Sequence, residues 1–222
     1  MKSFIANNGT QYLLAGNVLL ETGTGQHFEI DICDRDPRMG ASFRAAGLVN
    51  RVSEDFLAGI DEHTMVVYLT GEGGTLENAT SIAKASQAFL NAGGLGIKVE
   101  TAGKAFTGPQ WAEFLSSGDQ PAFFQMFVLG SISDQKTIFS CGMHNLGLKD
   151  TIVTGESEQD AITLISVFSY YQLVDKPVLR HGQTFSVEAG APVFLIRDEP
   201  DAPYKGRELF DNPFGMWRLA RR

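Results

Sequence analysis

The segment SEQDAITLISVFSYYQLV, residues 157–174, has the clearest helical pattern in the sequence. Its apolar side chains recur at the spacing of a helix, and Ser157 followed by acidic residues is a typical N-cap. The apolar stripe is formed by Ala161, Leu164, Ile165, Phe168 and Tyr171, with Ile162, Val167, Tyr170 and Val174 beside it. Because apolar residues cover so much of its circumference, we expect this helix to be largely buried against other elements.

Segments rich in β-branched and apolar residues surround this helix and predict the sheet on which it packs. In the second half of the chain the predicted strands are 123–132, 137–141, 151–154, 184–188 and 192–197, with Asp134-Gln135 turning the first into the second. In the first half they are 11–14, 18–21, 27–33, 64–70 and 96–100. A helix predicted from Thr75 to about Ala92 would join the last two strands as a parallel β-α-β unit.

Taken together, these elements predict a single α+β domain with a mixed, largely antiparallel sheet and helices mainly on one face. Within it we distinguish a β-rich part over residues 1–60, a core over 64–198 and a basic aromatic tail over 199–222. A chain of 222 residues is long enough to bury a core without disulfides, and it contains only two cysteines.

Charge and hydropathy exclude several classes of protein. The net charge is −8, and the residues from Pro203 onward carry +3, which leaves −11 for residues 1–202. Such an acidic body argues against nucleic-acid binding, which depends on cationic contacts to phosphate. No apolar run is long enough for a membrane span, and the first residues do not form a secretory signal. We therefore expect a cytoplasmic protein whose partner, if any, is another protein.

The segment Cys141-Gly142-Met143-His144-Asn145-Leu146-Gly147 brings a thiol close to an imidazole. A cysteine nucleophile needs a base such as His144, and a turn at Gly142 would let the two side chains meet. His181 could reach in from a later loop. The alternative, which we favour, is a small buried thiol at a strand end, because cysteine is among the most buried residue types.

A glycine-rich turn, Gly71-Glu72-Gly73-Gly74-Thr75, lies between a predicted strand and a predicted helix. Gly71, Gly73, Gly74 and Thr75 could therefore hold a small anion at a helix N-terminus. The turn lacks both the GxGxxG and the GxxxxGK[ST] pattern, and Glu72 would repel phosphate. We favour a tight structural turn and keep the anion site as an alternative.

No pattern in the sequence predicts a metal or a cofactor. Asp31, Asp34 and Asp36 are dense enough to attract a hard cation, but their spacing does not match a calcium loop. Arg35 and Arg38 lie among them, so a salt-bridged surface loop explains the cluster better. There is no CxxC or HxxxH spacing of the kind that zinc sites use.

The tail Asn212-Pro213-Phe214-Gly215-Met216-Trp217-Arg218-Leu219 combines large apolar groups with arginine. If exposed, Phe214, Trp217 and Arg218 would form an interaction patch of the kind that dominates protein interfaces. The other possibility is that the tail folds back and covers the sheet.

The region from residue 64 to about 198 resembles an uncharacterised bacterial family, domain of unknown function 4261. The resemblance rests on the strand pattern, on Cys141–Gly147, on the apolar helix and on the segment Pro177–Thr184. It implies a bacterial cytosolic α+β protein. It supplies no activity, and no catalytic residue can be transferred.

The sequence leads to three functional hypotheses. The first is a non-enzymatic bacterial interaction protein of immunity or accessory type, which would bind a partner through its acidic body. The second is a cysteine-dependent hydrolase or acyl transferase that uses Cys141 and His144. The third is a small-molecule module that binds an anion at Gly71–Thr75.

Overall fold

The computed structural model describes residues 4, 7–132, 137–204 and 206–222. These residues form six α-helices and twelve strands in mixed sheets, which confirms the predicted α+β class. Contacts group the chain into two compact units. Unit 1 runs to Gly73 and resumes over Glu77–Gly118, and unit 2 consists of Gly74–Leu76 and Asp119–Arg222. The predicted domain boundaries stay a prediction.

Unit 1 contains a four-stranded antiparallel sheet in the order β1-β2-β3-β4. Its core joins Leu19, Phe28 and Ile30 of the sheet to Ala85 and Ala88 of α3. The small alanines let the helix approach the sheet closely. The strands are β1 (Tyr12–Ala15), β2 (Val18–Glu21), β3 (His27–Asp34) and β4 (Met65–Thr70), and α3 spans Leu76–Asn91.

A second cluster of unit 1 packs two short helices against a hairpin. Phe43, Leu57, Ile60 and Ala105 form its core. Ser53 caps the second of these helices, since its side chain accepts a hydrogen bond from the Phe56 backbone. The elements are α1 (Met39–Ala46), α2 (Glu54–Asp61), β5 (Gly96–Val99), β6 (Lys104–Thr107) and α4 (Gly108–Ser117).

Unit 2 is built on a six-stranded sheet in the order β10-β11-β12-β9-β8-β7. Only the β12–β9 pair is parallel, so the sheet is mixed and largely antiparallel, as predicted. The strands are β7 (Leu129–Ile132), β8 (Ile138–Cys141), β9 (Asp150–Thr154), β10 (Thr184–Phe185), β11 (Phe194–Glu199) and β12 (Met216–Arg221).

Helix α6 (Glu158–Val174) packs on this sheet and confirms the helix predicted over residues 157–174. Ser157 caps it by accepting a hydrogen bond from the Asp160 backbone. Leu164, Ile165 and Phe168 join strand residues in the main core of unit 2. The helix is thus fixed by burial of its apolar stripe.

The predicted parallel β-α-β unit is wrong. Strand β4 pairs with β3, whereas β5 pairs antiparallel with β6 in a separate hairpin. A turn at Thr101–Gly103 lets β5 fold back on the very next strand, and this local pairing requires no crossover connection. The predicted order of a strand, a helix and a strand along the chain is correct, but the predicted pairing of the two strands is not.

The predicted strand 123–132 is only partly correct. Helix α5 (Gln120–Phe127) occupies its first half, and β7 starts at Leu129. Asp119 caps this helix by accepting a hydrogen bond from Ala122, and Pro121 stands in its first turn. The β7–β8 hairpin is confirmed by its register, while the predicted Asp134-Gln135 turn lies outside the described residues.

The tail forms neither an exposed interaction patch nor a segment that lies over the face of the sheet. Its residues 216–221 form β12, which lies inside the sheet between β11 and β9. No helix in the described part of the chain has the length and apolar character needed to cross a bilayer.

Candidate functional site

The turn at Cys141–Gly147 has the backbone that its glycines predicted. Gly142 has a φ of 105° and Gly147 a φ of 77°, both in the left-handed region that favours glycine. Between them, Met143–Leu146 forms a 3-10 helix. The chain then enters β9 at Asp150. The turn therefore carries the chain from β8 into β9.

Asp150 is the centre of a buried polar cluster behind this turn. Its Oδ1 accepts hydrogen bonds from Ser140 Oγ at 2.9 Å and from the Met143 amide at 3.3 Å. Its Oδ2 accepts from Asn212 Nδ2 at 2.7 Å and from the Tyr204 hydroxyl at 3.1 Å. Four donors converge on two oxygens, and the acceptor sites of a carboxylate are sufficient for all of them.

Burial dominates the electrostatics of this cluster. Asp150 is 0% exposed, and desolvation raises its pKa to about 6 although all four hydrogen bonds act in the opposite direction. Burial and the neighbouring Asp150 raise the pKa of the Tyr204 hydroxyl. No local sequence signal marks Asp150, Tyr204 or Asn212, because Tyr204 and Asn212 lie 54 and 62 residues away from Asp150 along the chain.

Cys141 has the properties of a core residue. It is 5% exposed and packs with Phe139, Ile152 and Met216. Burial, together with the charge of Asp150, raises the pKa of its thiol to about 12. Since the thiolate is the nucleophile, a neutral solution would populate it very little. This environment is the opposite of the electropositive one that activates catalytic cysteines.

His144 is partly buried beside the same turn. Burial lowers its pKa, with Asp211 acting in the opposite direction. Its Nδ1 has no hydrogen-bond partner within the described structure. The imidazole is therefore neutral at pH 7, and no described residue bonds to Nδ1 to orient the ring as a general base, in contrast to the arrangement that activated nucleophiles use.

His181 lies in the turn that precedes β10, beside β11. It is exposed, and its Nδ1 accepts a hydrogen bond from the Asp198 amide of β11 at 3.3 Å. Strands β12 and β9 separate β11 from β8. Three strand spacings amount to about 14 Å, so His181 lies at a different part of the sheet from Cys141.

A thiol titration tests the role of Cys141 directly. We expect iodoacetamide at pH 7.5 to modify Cys141 in the folded protein at least about 100-fold more slowly than the more accessible Cys33. Mass spectrometry of the alkylated peptides gives both rates. In denaturant the two rates should converge. Modification of Cys141 as fast as that of an unhindered cysteine would support the catalytic hypothesis instead.

The glycine-rich turn is divided between the two units. Gly71 packs in unit 1, where an added Cβ would lie 2.8 Å from Phe28 Cδ1, and Gly73 has open space around it. Gly74 and Thr75 belong to unit 2 and line a groove of about 390 Å³ there. The four residues proposed as one anion site therefore do not share one environment.

The three interaction residues of the tail also have different environments. Trp217 is 7% exposed and belongs to the core, with Lys149 Nζ lying 3.8 Å from its ring centroid. Arg218 pairs with Glu199 on the adjacent strand. Only Phe214 is substantially exposed, at 42%.

The acidic loop shows no metal geometry. Asp36 accepts hydrogen bonds from the Arg38 backbone and guanidinium, which lower the pKa of its carboxyl. Among the described residues, no group of three histidine, cysteine or acidic side chains is placed to hold a metal ion. The salt-bridged loop that the sequence favoured is consistent with these contacts.

One face of the unit 1 sheet is open to solvent. Residues that lie directly opposite each other on neighbouring strands point to the same side of a sheet. On the solvent side, Leu13 pairs with Leu20, Val18 with Glu29 and Asp31 with Tyr68. We call these six residues the outer face. Leu13 is 52% and Tyr68 40% exposed, while Leu19, Phe28 and Ile30 point to the core on the opposite side.

The outer face is acidic as well as apolar. The carboxylates of the outer face are Glu29 and Asp31, and strands β1–β4 contain no lysine or arginine. In the described part of the chain, neither Glu29 nor Asp31 takes part in an ion pair. The face therefore presents two carboxylates that form no ion pair in the described structure, beside exposed apolar groups. The charge of Arg38, which is paired with Asp36, also acts on Tyr68.

No family model, curated protein or solved structure matches this chain. The resemblance to domain of unknown function 4261 stays a prediction.

Proposed function

We propose that the chain is a non-enzymatic interaction protein of accessory or immunity type, and that its outer face binds a basic partner protein. The observation that supports this most is that exposed Leu13 and Tyr68 share one sheet face with Glu29 and Asp31, two carboxylates that form no ion pair in the described structure. A bacterial, cytoplasmic setting belongs to the same proposal.

Two physical effects would act together on this face. Leu13, Leu20 and Tyr68 supply apolar and aromatic area, which gives affinity once water is excluded. Glu29 and Asp31 supply charge, which attracts a basic partner and rejects acidic ones. The net charge of −8 extends the attraction beyond the face itself.

A charge reversal on the face tests the proposal. We expect the double variant Glu29→Arg/Asp31→Arg to weaken partner binding at least about tenfold, because each change replaces an attraction by a repulsion. The partner would be captured from the native host at low salt, identified, purified and titrated against each variant. Binding to the wild type should also weaken as salt rises.

A matched control separates local charge from total charge. Glu62→Arg/Glu113→Arg changes the net charge equally, also in unit 1, at two exposed positions away from the outer face. It should bind the partner almost as well as the wild type. Equal losses in both double variants, or a captured partner that is acidic, would contradict the proposal.

The enzymatic alternative is less well supported. It requires a reactive thiol, whereas Cys141 is buried with its pKa raised to about 12. It also requires an oriented base, whereas His144 Nδ1 has no partner in the described structure. The thiol titration above distinguishes the two hypotheses without knowledge of a substrate.

A further inference from the structure

A groove of about 390 Å³ in unit 2 combines apolar walls with one cation. Leu146 and Leu148 form one wall, Leu173 of α6 a second and Leu179 a third. Leu146 and Leu173 are 5% and 3% exposed, so these walls are anchored in the fold. A volume of this size lies within the range of small-molecule sites, roughly 300–1,000 Å³.

Polar side chains in the lining are few, namely those of Thr75, Gln172 and Lys176. Gln172 lines the groove, and its Nε2 donates to Thr151 Oγ1 at 3.3 Å and to the Lys149 carbonyl at 3.4 Å. Its buried amide is thereby held in place. Lys176, four positions further, also lines the groove and is exposed. Within the described residues Lys176 forms no ion pair.

The backbone fixes the position of Lys176. Its φ of 47° places a non-glycine residue in the left-handed region, and Pro177 follows immediately. The next turn is closed by a hydrogen bond from the Leu179 amide to the Pro177 carbonyl at 3.1 Å. The lysine therefore stands at the edge of the groove on a constrained segment, with its ammonium available to a ligand.

From this arrangement we propose that the groove binds a small amphiphilic carboxylate of the medium-chain fatty acid class. The alkyl chain would lie against the leucines, and the carboxylate would pair with Lys176. A neighbouring groove of about 400 Å³ shares Pro177 and Leu179 but has no charged side chain among its described lining residues. The neighbouring groove therefore offers no counter-ion to a carboxylate. A negatively charged ligand is expected to prefer the groove that Lys176 lines.

Calorimetric titration with decanoate and decan-1-ol, both below the concentrations at which they aggregate, tests this site. Decanoate should bind saturably with a stoichiometry of one. Lys176→Met should weaken decanoate about fivefold and leave decan-1-ol unchanged, while Lys176→Arg should restore decanoate binding. Lys84→Met, the same change at an exposed lysine of unit 1, should have no effect.

A second variant tests the apolar walls. Leu148→Trp should fill the groove and abolish binding of decanoate, with circular dichroism showing that the variant is folded. Absence of saturable decanoate binding would overturn the proposal. So would equal affinities of Lys176→Met and Lys84→Met, or undiminished binding by folded Leu148→Trp. If Leu148→Trp does not fold, the comparison of the two lysine variants decides.

Discussion

Replacing Asp150 with alanine is expected to lower the free energy of unfolding of unit 2 by about 3 kcal/mol at pH 7. The change leaves Ser140 Oγ, the Met143 amide, the Tyr204 hydroxyl and Asn212 Nδ2 without the acceptor that they share. Buried donors without an acceptor cost about 1–3 kcal/mol each, and the lost charge offsets part of that cost.

The effect should depend on pH in a defined direction. The folded-state pKa of Asp150, about 6, is higher than the ordinary value of 3.8. Between these values the folded state binds more protons than the unfolded state, so this group makes unit 2 less stable as pH rises from about 4 to about 6. Asp150→Ala removes that titration, and its deficit relative to the wild type should therefore grow when the pH is lowered from 7 to 5.

The two tryptophans make unit 2 separately observable. Trp111 is buried in unit 1 and Trp217 in unit 2. In a Trp111→Phe background, denaturant titration followed by fluorescence reports unit 2 through Trp217. Asp175→Ala, an exposed position in the same unit, is the control and should change stability by less than about 0.5 kcal/mol. Equal losses for the two alanine variants would show that the Asp150 cluster does not stabilise the unit.

Gly147→Ala is expected to destabilise unit 2 by about 3 kcal/mol or more. The φ of 77° at Gly147 costs an alanine about 1–2 kcal/mol. In addition, the new Cβ would lie 2.2 Å from the Gly74 carbonyl oxygen. That contact is with backbone, which cannot rotate away as a flexible side chain would.

Gly155→Ala separates the two contributions. Gly155 also lies in unit 2 and has a φ of 83°, but no atom lies within 4 Å of an added Cβ. Gly155→Ala should therefore lower the free energy of unfolding only by the cost of a positive φ, about 1–2 kcal/mol. The same fluorescence titration measures both variants. If Gly147→Ala lost no more than Gly155→Ala, the close approach of Gly147 and Gly74 would be refuted.

The elements that were predictable from sequence are those with a local cause. The Ser157 cap and the apolar stripe of residues 157–174 define α6 without help from the rest of the chain. Gly142 likewise predicted a turn, and it has a positive φ of 105°. In each case the deciding contacts lie within a few residues of one another.

The pairing of the strands and the polar cluster around Asp150 could not be predicted from local sequence signals. Whether β5 joins β4 or β6 depends on competing partners, and the sequence order of a strand, a helix and a strand fits both outcomes. Asp150 is the first residue of β9, and nothing near it in sequence announces that Tyr204 and Asn212 will meet it. A missed local signal also occurs, since Asp119 and Pro121 mark the start of α5.

The position of β12 has a consequence for the order in which unit 2 folds. Of the strands of its sheet, β12 is the last along the chain, yet it lies between β9 and β11. Until β12 is synthesised, β7–β8–β9 and β10–β11 are two partial sheets, each with an open edge. Open edges invite pairing with other chains. Insertion of β12 closes both at once, so this late long-range step is expected to limit the folding rate of unit 2.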